Sequence, residues 1–250
     1  MSPQAPDRKH RITLDANPEP ITVDTSTTAV VVIDMQNDFG VKGGLFDHAG
    51  LDISMIQRAV APTAGVLAAA RNAGVKVIYL NMGFLPDLSD LGAPDSPNRM
   101  RHLMFGVGQT VRAPDGTESR FLIRDTWNTA VVSELTPERG ETVIYKHRFS
   151  GFYETEFDEL LKNFGMKSLI ITGCTTSVCV ESTVRDAMFR DYQCILLADC
   201  MGEPIGNDFP RSNHEASLLV MQTLFGWVSD STKFKRALGS EAIATAHQHA

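Results

Sequence analysis

The chain has 250 residues, of which 43% are hydrophobic and 21% are charged. This length suffices for one α/β domain with a full core, and this charged fraction is that of a globular rather than a disordered protein. Lysine and arginine number 23 against 30 aspartate and glutamate, for a net charge of −7. Because an acidic chain is poorly suited to bind nucleic acid or an anionic membrane, we expect a small diffusible molecule as the ligand.

The distribution of apolar residues and cysteines indicates a compartment. No apolar run approaches the roughly 18–20 residues of a membrane span, and the first 20 residues lack the apolar centre of a secretory signal. The four cysteines fall in one short stretch without a Cys-x-x-Cys pair; they are Cys174, Cys179, Cys194 and Cys200. Reduced thiols fit this pattern better than a disulfide framework, so we expect a cytoplasmic protein.

Short apolar runs predict the strands. Residues 1–20 contain four prolines and predict a flexible N-terminal arm. Continuous runs rich in β-branched residues follow, and they are typical of strands buried on both faces of a parallel sheet. These runs are 28–34, 76–81, 142–146, 168–173 and 193–199, with a weaker sixth at 227–229.

Helical patterns alternate with these runs. Apolar residues recur every three or four positions in 53–70, 157–164, 180–188 and 216–225. Pro62 is expected to kink or split the first helix, and Gly165 to cap the end of the second. The alternation predicts a doubly wound, Rossmann-like α/β fold with a six-stranded, mainly parallel sheet and helices on both faces. We expect a single domain over residues 21–240 and a C-terminal tail over 241–250.

One stretch, residues 82–126, does not follow this alternation. It is rich in Gly, Pro, Asp and Arg and has little periodicity. Unstructured segments of this length inside a domain are usually functional, so we interpret it as a long active-site loop that acts as a lid, a substrate wall or an oligomer contact. An insertion without a role is the alternative.

Polar residues end most of the predicted strands. In open parallel sheets, ligands bind beyond the carboxyl ends of the strands, where the strand order reverses. The residues expected at that edge are Asp34, Asn81, Lys146, the segment 173–179 and Asp199. An acid, an amide, a base and a thiol are thus expected to lie close together.

Cys179 follows the strand at 168–173, where the chain turns into the next helix. Thr175, Thr176 or Ser177 is suited to cap that helix, which would place Cys179 in its first turn. The helix dipole and a nearby Lys146 would then lower the pKa of the thiol and favour the thiolate. The alternative is a small buried apolar cysteine without a chemical role.

Asp34 and Lys146 complete a candidate catalytic set. A carboxylate at a buried strand end has a raised pKa and is suited to move a proton, although it could instead cap a helix or pair with a structural base. A lysine at a strand end often has no chemical role, because its aliphatic chain packs against the protein while its ammonium stays in water. Together with Cys179, the three supply base, cation and nucleophile for hydrolysis. Dinucleotide, phosphate-loop and zinc motifs are incomplete, so we expect no cofactor and no metal.

Three of these segments resemble the isochorismatase-like cysteine hydrolases. They are VVVIDMQNDF at 30–39, Lys146 at its strand end, and GCTTSVCV at 173–180. The resemblance implies that Cys179 is the nucleophile, Asp34 the general base and Lys146 the cation that holds both. It also implies an oxyanion hole made of the backbone N–H groups of Thr175 and Cys179, and a cis peptide bond between Cys174 and Thr175. The metal-binding pattern of the nicotinamidase branch is missing.

Further segments are similar to one branch, the ureidoacrylate amidohydrolases. They are 43–52, 96–98, 146–152, 178–186 and 225–230. The resemblance implies hydrolysis of a small linear amide or ureide through a covalent thioester, with release of ammonia or carbamate. Candidate substrate contacts are Gln36, Asn81, Trp127 and Arg148, where Arg148 either pairs with a substrate carboxylate or forms a structural ion pair.

Other functions stay open at this stage. A biuret or N-carbamoylsarcosine type of amidase would use the same three residues on a different substrate. An isochorismatase would leave Cys179 idle, and a non-enzymatic thiol sensor would not need Asp34 beside the thiol. Edge strands, the segment 82–126 and the apolar helix near 218–225 favour self-association, and we expect a homodimer or homotetramer.

Overall fold

The computed structural model describes residues 10–208 and 210–246 of the chain. In chain order its strands are β1 (Arg11–Leu14), β2 (Ile21–Asp24), β3 (Thr28–Ile33), β4 (Lys76–Met82), β5 (Thr110–Arg112), β6 (Glu118–Arg120), β7 (Thr142–Lys146), β8 (Ser168–Cys174), β9 (Gln193–Gly202) and β10 (Trp227–Ser229). Its α-helices are α1 (Asn37–Gly40), α2 (Leu45–His48), α3 (Ser54–Asn72), α4 (Pro97–Met104), α5 (Phe157–Asn163), α6 (Glu181–Met188), α7 (Asn213–Leu224) and α8 (Ser231–Ala246).

Six strands form the central sheet, in the order β10-β9-β8-β3-β4-β7. Every neighbouring pair in it is parallel, which confirms the predicted sheet. All six residues of β3 are buried, because this strand lies between two others and is covered on both faces. The chain leaves β3 toward β4 on one side and later crosses to β8 on the other. The strand order therefore reverses at the carboxyl end of β3, where a ligand site is expected.

Helices cover both faces of the sheet. On one face, α3 and α8 pack with alternate β3 residues such as Val30 and Val32. On the other face, α5, α6 and α7 pack with Val31 and Ile33. Alternate side chains of a strand point to opposite faces, so each buried strand contributes to two cores at once.

The predictions made for Pro62 and Gly165 have different outcomes. Helix α3 is one helix of 19 residues with Pro62 inside it, so the expected split does not occur. Helix α5 ends at Asn163, and Gly165 follows with φ of +67°, as expected of a C-terminal glycine.

The predicted N-terminal arm is ordered in its second half. Strand β1 pairs antiparallel with β2, and its alternate residues Ile12 and Leu14 are buried in the core. Asn17 then forms an antiparallel bridge with Val228 of β10. The prolines of this region do not prevent these pairings, because the two buried side chains gain contact with the core. Residues 1–9 lie outside the described part of the chain.

The C-terminal end also differs from the expected tail. Helix α8 continues to Ala246, so the backbone is helical over the first six of the residues assigned to the tail. Residues 247–250 lie outside the described residues.

The segment 82–126 contains regular structure rather than one long loop. Ser96 caps the start of helix α4, since its hydroxyl accepts a hydrogen bond from the Arg99 backbone N–H. Pro97 follows in the first turn, where a missing N–H costs nothing. Strands β5 and β6 form an antiparallel hairpin. The whole segment is held to the body of the domain partly through Asp38, whose carboxylate accepts hydrogen bonds from Leu45 N and Leu122 N.

Candidate active site

Three side chains predicted from the sequence meet at the carboxyl edge of the sheet. Asp34 follows β3, Lys146 ends β7, and Cys179 lies in a single π-helical turn over residues 176–180 after β8. The Lys146 ammonium donates to Asp34 Oδ2 over 2.7 Å, although the two residues are 112 positions apart. Lys146 is fully buried, Asp34 is 1% exposed and Cys179 is 7% exposed.

The Asp34 carboxylate is held on both oxygens. Its Oδ1 accepts from the Met82 backbone N–H at 2.8 Å, while Oδ2 receives the Lys146 ammonium. Burial raises the pKa of Asp34, and the charge of Lys146 opposes this only in part. Burial disfavours the charged form of Lys146, but the neighbouring Asp34 and Cys179 raise its pKa overall. The arrangement thus combines a permanent ammonium with a carboxylate that can take up a proton.

The prediction of a lowered thiol pKa is wrong. Burial and the charge of Asp34 raise the pKa of Cys179, and Lys146 offsets them only partly. The expected cap is also absent, because Thr175 forms no side-chain hydrogen bond there. Its carbonyl instead accepts from Val178 N and Val180 N. A raised pKa favours the neutral thiol at rest, so this sulfur would need a base in order to act as a nucleophile.

The backbone before Cys179 is tightly constrained. The peptide bond between Cys174 and Thr175 is cis, at the position that the family resemblance implies. Gly173 has φ of +124°, and a Cβ at this position would collide with the carbonyl oxygen of Ile33. Glycine is required here because β8 approaches β3 too closely for any side chain.

A cavity of about 170 Å³ opens over Asp34 and Cys179. Its walls are mostly apolar and come from the segments 39–51 and 82–126, the turn before α6, and the loops after β7 and β9. They include Phe39, Leu45, Phe46, Leu51, Met82, Phe105, Val107, Leu122, Phe149, Val178 and Ile205. Besides the reactive groups, Thr175, Arg101 and His102 supply polar side chains. Arg101 and His102 lie on α4, and sequence reasoning missed them because this short, mostly polar helix has no clear periodicity.

The four residues expected to contact the substrate do not line this cavity. Gln36 is fully buried, and its amide donates to the carbonyls of Met82 and Thr129. Asn81 also donates to the Thr129 carbonyl, at 3.3 Å. Trp127 belongs to a short 3₁₀ turn, and its carbonyl accepts from Asn37. These bonds hold the backbone around the site.

Arg148 is likewise occupied within the protein. Its guanidinium donates to the carbonyls of Asp90 and His147 and lies over the Tyr153 ring. Arg148 therefore fixes the segment 82–126 against the end of β7. Among the described arginines, Arg101 is the one that belongs to the cavity lining.

Glu203 is a buried acid that the sequence analysis missed. The structure extends β9 to Gly202, beyond the predicted end at Asp199, so Glu203 is the acid at the edge of the sheet. Its carboxylate is fully buried and accepts from Ser177 N at 2.7 Å and Ile205 N at 3.0 Å. Asp199 instead accepts from the backbone and hydroxyl of Ser231, at the start of α8. Glu203 thus holds the turn that carries Cys179.

Two other features are absent from the described residues, 10–208 and 210–246. None of the helices there is both long and apolar enough to cross a membrane. No group of three or more His, Cys, Asp or Glu side chains in those residues could hold a metal ion.

A doubly wound sheet that brings a carboxylate and a thiol to one cavity, with an ammonium paired to the carboxylate, is typical of an enzyme that hydrolyses small molecules. The isochorismatase domain family model matches residues 28–233, which include Asp34, Lys146 and Cys179. The chain belongs to the isochorismatase family and is a hydrolase.

Two relatives support this assignment. The chain is 41% identical over 234 residues to the ureidoacrylate amidohydrolase RutB of Methylorubrum extorquens, covering 94% of this chain and 92% of that protein. It is 38% identical over 244 residues to the enzyme of the same name from Caulobacter segnis, covering 98% and 99%. These relatives confirm the predicted similarity to the ureidoacrylate amidohydrolases.

Solved structures have the same fold. A cysteine hydrolase from Pseudomonas syringae superposes with a TM-score of 0.73 at 29% identity, over 88% of this chain and 95% of that one. An N-carbamoylsarcosine amidase from Thermoplasma acidophilum superposes with a TM-score of 0.59 at 25% identity, over 82% and 96%.

Proposed function

We propose that this chain, a hydrolase of amide C–N bonds, cleaves a small linear ureide of the ureidoacrylate type by means of Cys179. The observation that carries the proposal is the buried ion pair of Asp34 and Lys146, 2.7 Å apart, beside Cys179 at the bottom of the cavity. The substrate class comes from the names of the relatives that match nearly the whole chain.

The first half of the reaction forms a covalent carbamoyl-enzyme. Asp34 takes the proton of Cys179, and the sulfur attacks the carbonyl carbon of the ureide. The negative charge moves to the carbonyl oxygen, which accepts hydrogen bonds from the backbone N–H groups of Thr175 and Cys179. Removing one donor of such an oxyanion hole typically costs about 10²–10³ in rate. Asp34 then gives its proton to the leaving nitrogen as the C–N bond breaks.

The second half releases the product. Asp34 accepts a proton from water, the resulting hydroxide attacks the carbonyl carbon of the carbamoyl-enzyme, and the C–S bond breaks. Asp34 then returns the proton to the sulfur, so the enzyme ends in its starting state. The carbonyl group leaves as carbamate, which decomposes to ammonia and carbon dioxide. Throughout, Lys146 balances the negative charge that moves between Asp34 and Cys179.

Arg101 is suited to bind the carboxylate of such a substrate. It lines the cavity, and among the described residues no carboxylate forms a salt bridge with it. A guanidinium recognises a carboxylate through two parallel hydrogen bonds. We therefore assign to Arg101 the role that the sequence suggested for Arg148.

The test is ammonia release from a panel of amides by the wild type and by Cys179→Ser. The panel contains ureidoacrylate, its saturated analogue 3-ureidopropionate, biuret, N-carbamoylsarcosine, nicotinamide and maleamate. Turnover of a carboxylate-bearing ureide by the wild type alone is the expected result. Equal turnover by Cys179→Ser would refute the thiol mechanism, while a preference for biuret would refute the carboxylate-bearing substrate.

N-carbamoylsarcosine is the second candidate substrate. The specific observation in its favour is the structural match to an enzyme named for it. It carries the same two groups, a carbamoyl and a carboxylate, so the cavity chemistry is shared. Relative kcat/KM values within the panel decide between the two.

A further inference from the structure

His102 is an imidazole fixed in the cavity wall, and the mechanism above does not use it. It is 8% exposed and lies on α4. Its ring meets Phe84 edge to face at 5.1 Å between centroids and stacks on Phe149 at 5.6 Å. Two aromatic neighbours and a helical backbone leave this ring little freedom to turn.

One hydrogen bond determines which ring nitrogen of His102 carries the proton. Nδ1 lies 2.7 Å from the carbonyl oxygen of Asn98, one turn earlier in α4. A carbonyl oxygen can only accept, so Nδ1 must be the donor. Burial lowers the pKa of His102; the hydrogen bond to Asn98 opposes this in part, while the charges of Lys146 and Arg148 lower the pKa further. The ring is therefore neutral, and Nε2 presents a lone pair.

This lone pair has no partner within the described part of the protein. Among residues 10–208 and 210–246, the only hydrogen bond of the His102 ring is the one to Asn98, and Nε2 is not sealed in the interior. His102 is among the residues that line the cavity, so a ligand held there lies next to this ring.

The cavity contains few other acceptors. Arg101 has only donors, the backbone N–H groups at 175 and 179 are donors, and Asp34 is engaged in proton transfer. The Thr175 hydroxyl also lines the cavity, but it can rotate to donate or accept, whereas Nε2 of a ring protonated on Nδ1 can only accept. A ureide presents N–H donors as well as a carbonyl and a carboxylate. Its N–H groups need an acceptor when they leave water, because an unpaired buried donor is costly.

We propose that Nε2 of His102 accepts a hydrogen bond from an N–H of the substrate's ureido group and so makes the enzyme select ureides over isosteres that lack that N–H. This inference rests on the proposed function and adds to it a specificity-determining residue. Phe84 and Phe149 hold the ring, Asn98 fixes its tautomer, and Arg101 binds the carboxylate beside it.

The test compares three ligands in a Cys179→Ala background, in which none of them reacts. The first is 3-ureidopropionate. The second is 3-(carbamoyloxy)propionate, in which oxygen replaces the inner N–H, and the third is 3-acetamidopropionate, in which methyl replaces the terminal NH₂. Titration calorimetry gives the Kd of each ligand with His102 intact, with His102→Phe and with His102→Gln. His48→Phe is the matched control, since His48 is exposed and outside the cavity lining.

With His102→Phe, we expect the Kd of 3-ureidopropionate to rise about 10-fold, as for one lost hydrogen bond. The Kd of the analogue that lacks the recognised N–H should stay within about 2-fold, which also identifies that N–H. Glutamine carries a carbonyl oxygen at similar reach, so His102→Gln should regain most of the affinity. An equal rise for all three ligands, no rise for the ureide, or a His102→Gln variant as weak as His102→Phe would overturn the proposal.

Two further measurements separate causes. The melting temperature of each His102 variant shows whether the fold is intact, and His102→Gln serves as the decisive variant if phenylalanine disturbs packing. Turnover by the wild type is measured separately. If the wild type binds ureides with the His102 pattern but cleaves none, the proposed reaction fails and the recognition role stands.

Discussion

Replacing Lys146 with methionine is expected to destabilise the protein by about 3–5 kcal/mol, because the Asp34 carboxylate then stays buried without its cation. Lys146 is fully buried and its ammonium lies 2.7 Å from Asp34, so the pair is shielded from solvent that could compensate. For a chain of this length, such a loss lowers the melting temperature by about 6–20 °C. The variant should also be inactive, since Asp34 loses the cation that balances its charge.

A double-mutant cycle uses Asp34→Asn as the second single variant and combines it with Lys146→Met in a double variant. Asp34 has φ of +52°, in the left-handed region that asparagine tolerates, and the asparagine oxygen can still accept from Met82 N. Alone, Asp34→Asn leaves the ammonium of Lys146 unpaired and should cost about as much as Lys146→Met. The double variant buries no charge and should melt within about 5 °C of the wild type.

Thermal melting at two pH values tests this reasoning. In Lys146→Met, the folded-state pKa of Asp34 rises further above its ordinary value, because burial remains and the cation is gone. The folded variant then binds a proton more readily than the unfolded chain, so stability present at low pH is lost as the pH rises. The deficit relative to wild type should be smaller at pH 5 than at pH 8. If the two single losses simply add in the double variant, Asp34 and Lys146 are not an interacting pair.

Three further predictions concern single side chains. Cys179 should react with iodoacetamide slowly at pH 7 and faster above pH 9, since burial raises its thiol pKa. Mass spectrometry measures the labelling, and fast labelling already at pH 6 would contradict this prediction. Glu203→Gln should lower kcat about 10-fold with little change in KM. The Ser177 N–H then loses a charge-assisted hydrogen bond of about 1.5–3 kcal/mol, and the turn that carries Cys179 is held less firmly. Steady-state kinetics with a changed KM and an unchanged kcat would point to a different role. Arg101→Met should raise the KM for 3-ureidopropionate about 10-fold or more and leave the KM for biuret, which has no carboxylate, unchanged. An equal rise in KM for both substrates would exclude pairing of Arg101 with the carboxylate.

The sequence predicted the fold best where a strand is buried on both faces, because such a strand has a continuous apolar pattern. β3 and β8 are covered on both faces, so their residues read as unbroken β-branched runs and their carboxyl ends could be located. Because parallel strands end at one edge, Asp34, Lys146 and the segment before Cys179 could be placed together without any contact being known.

The rest depended on properties that a linear pattern does not contain. Whether a thiol is buried beside a carboxylate decides the direction of its pKa shift, and for Cys179 burial outweighs the helix position. Arg148 and Arg101 look equally able to bind an anion in the sequence, but only Arg148 is already bound to carbonyl groups. Helix α4 is stabilised by a cap and by contacts from elsewhere in the domain, so its eight residues needed no apolar stripe.

The order of the central sheet has a consequence for how activity can arise. β7 is an edge strand that reaches β3 only through β4, and β8 joins β3 from the opposite side. A nascent chain that ends before β7 has the acid but not the ammonium, and one that ends before β8 has no thiol. All of these pairings are non-local, and such contacts form late because long loops must close first. The recovery of turnover during refolding should therefore report the pairing of four strands, β8, β3, β4 and β7, rather than the formation of any one of them.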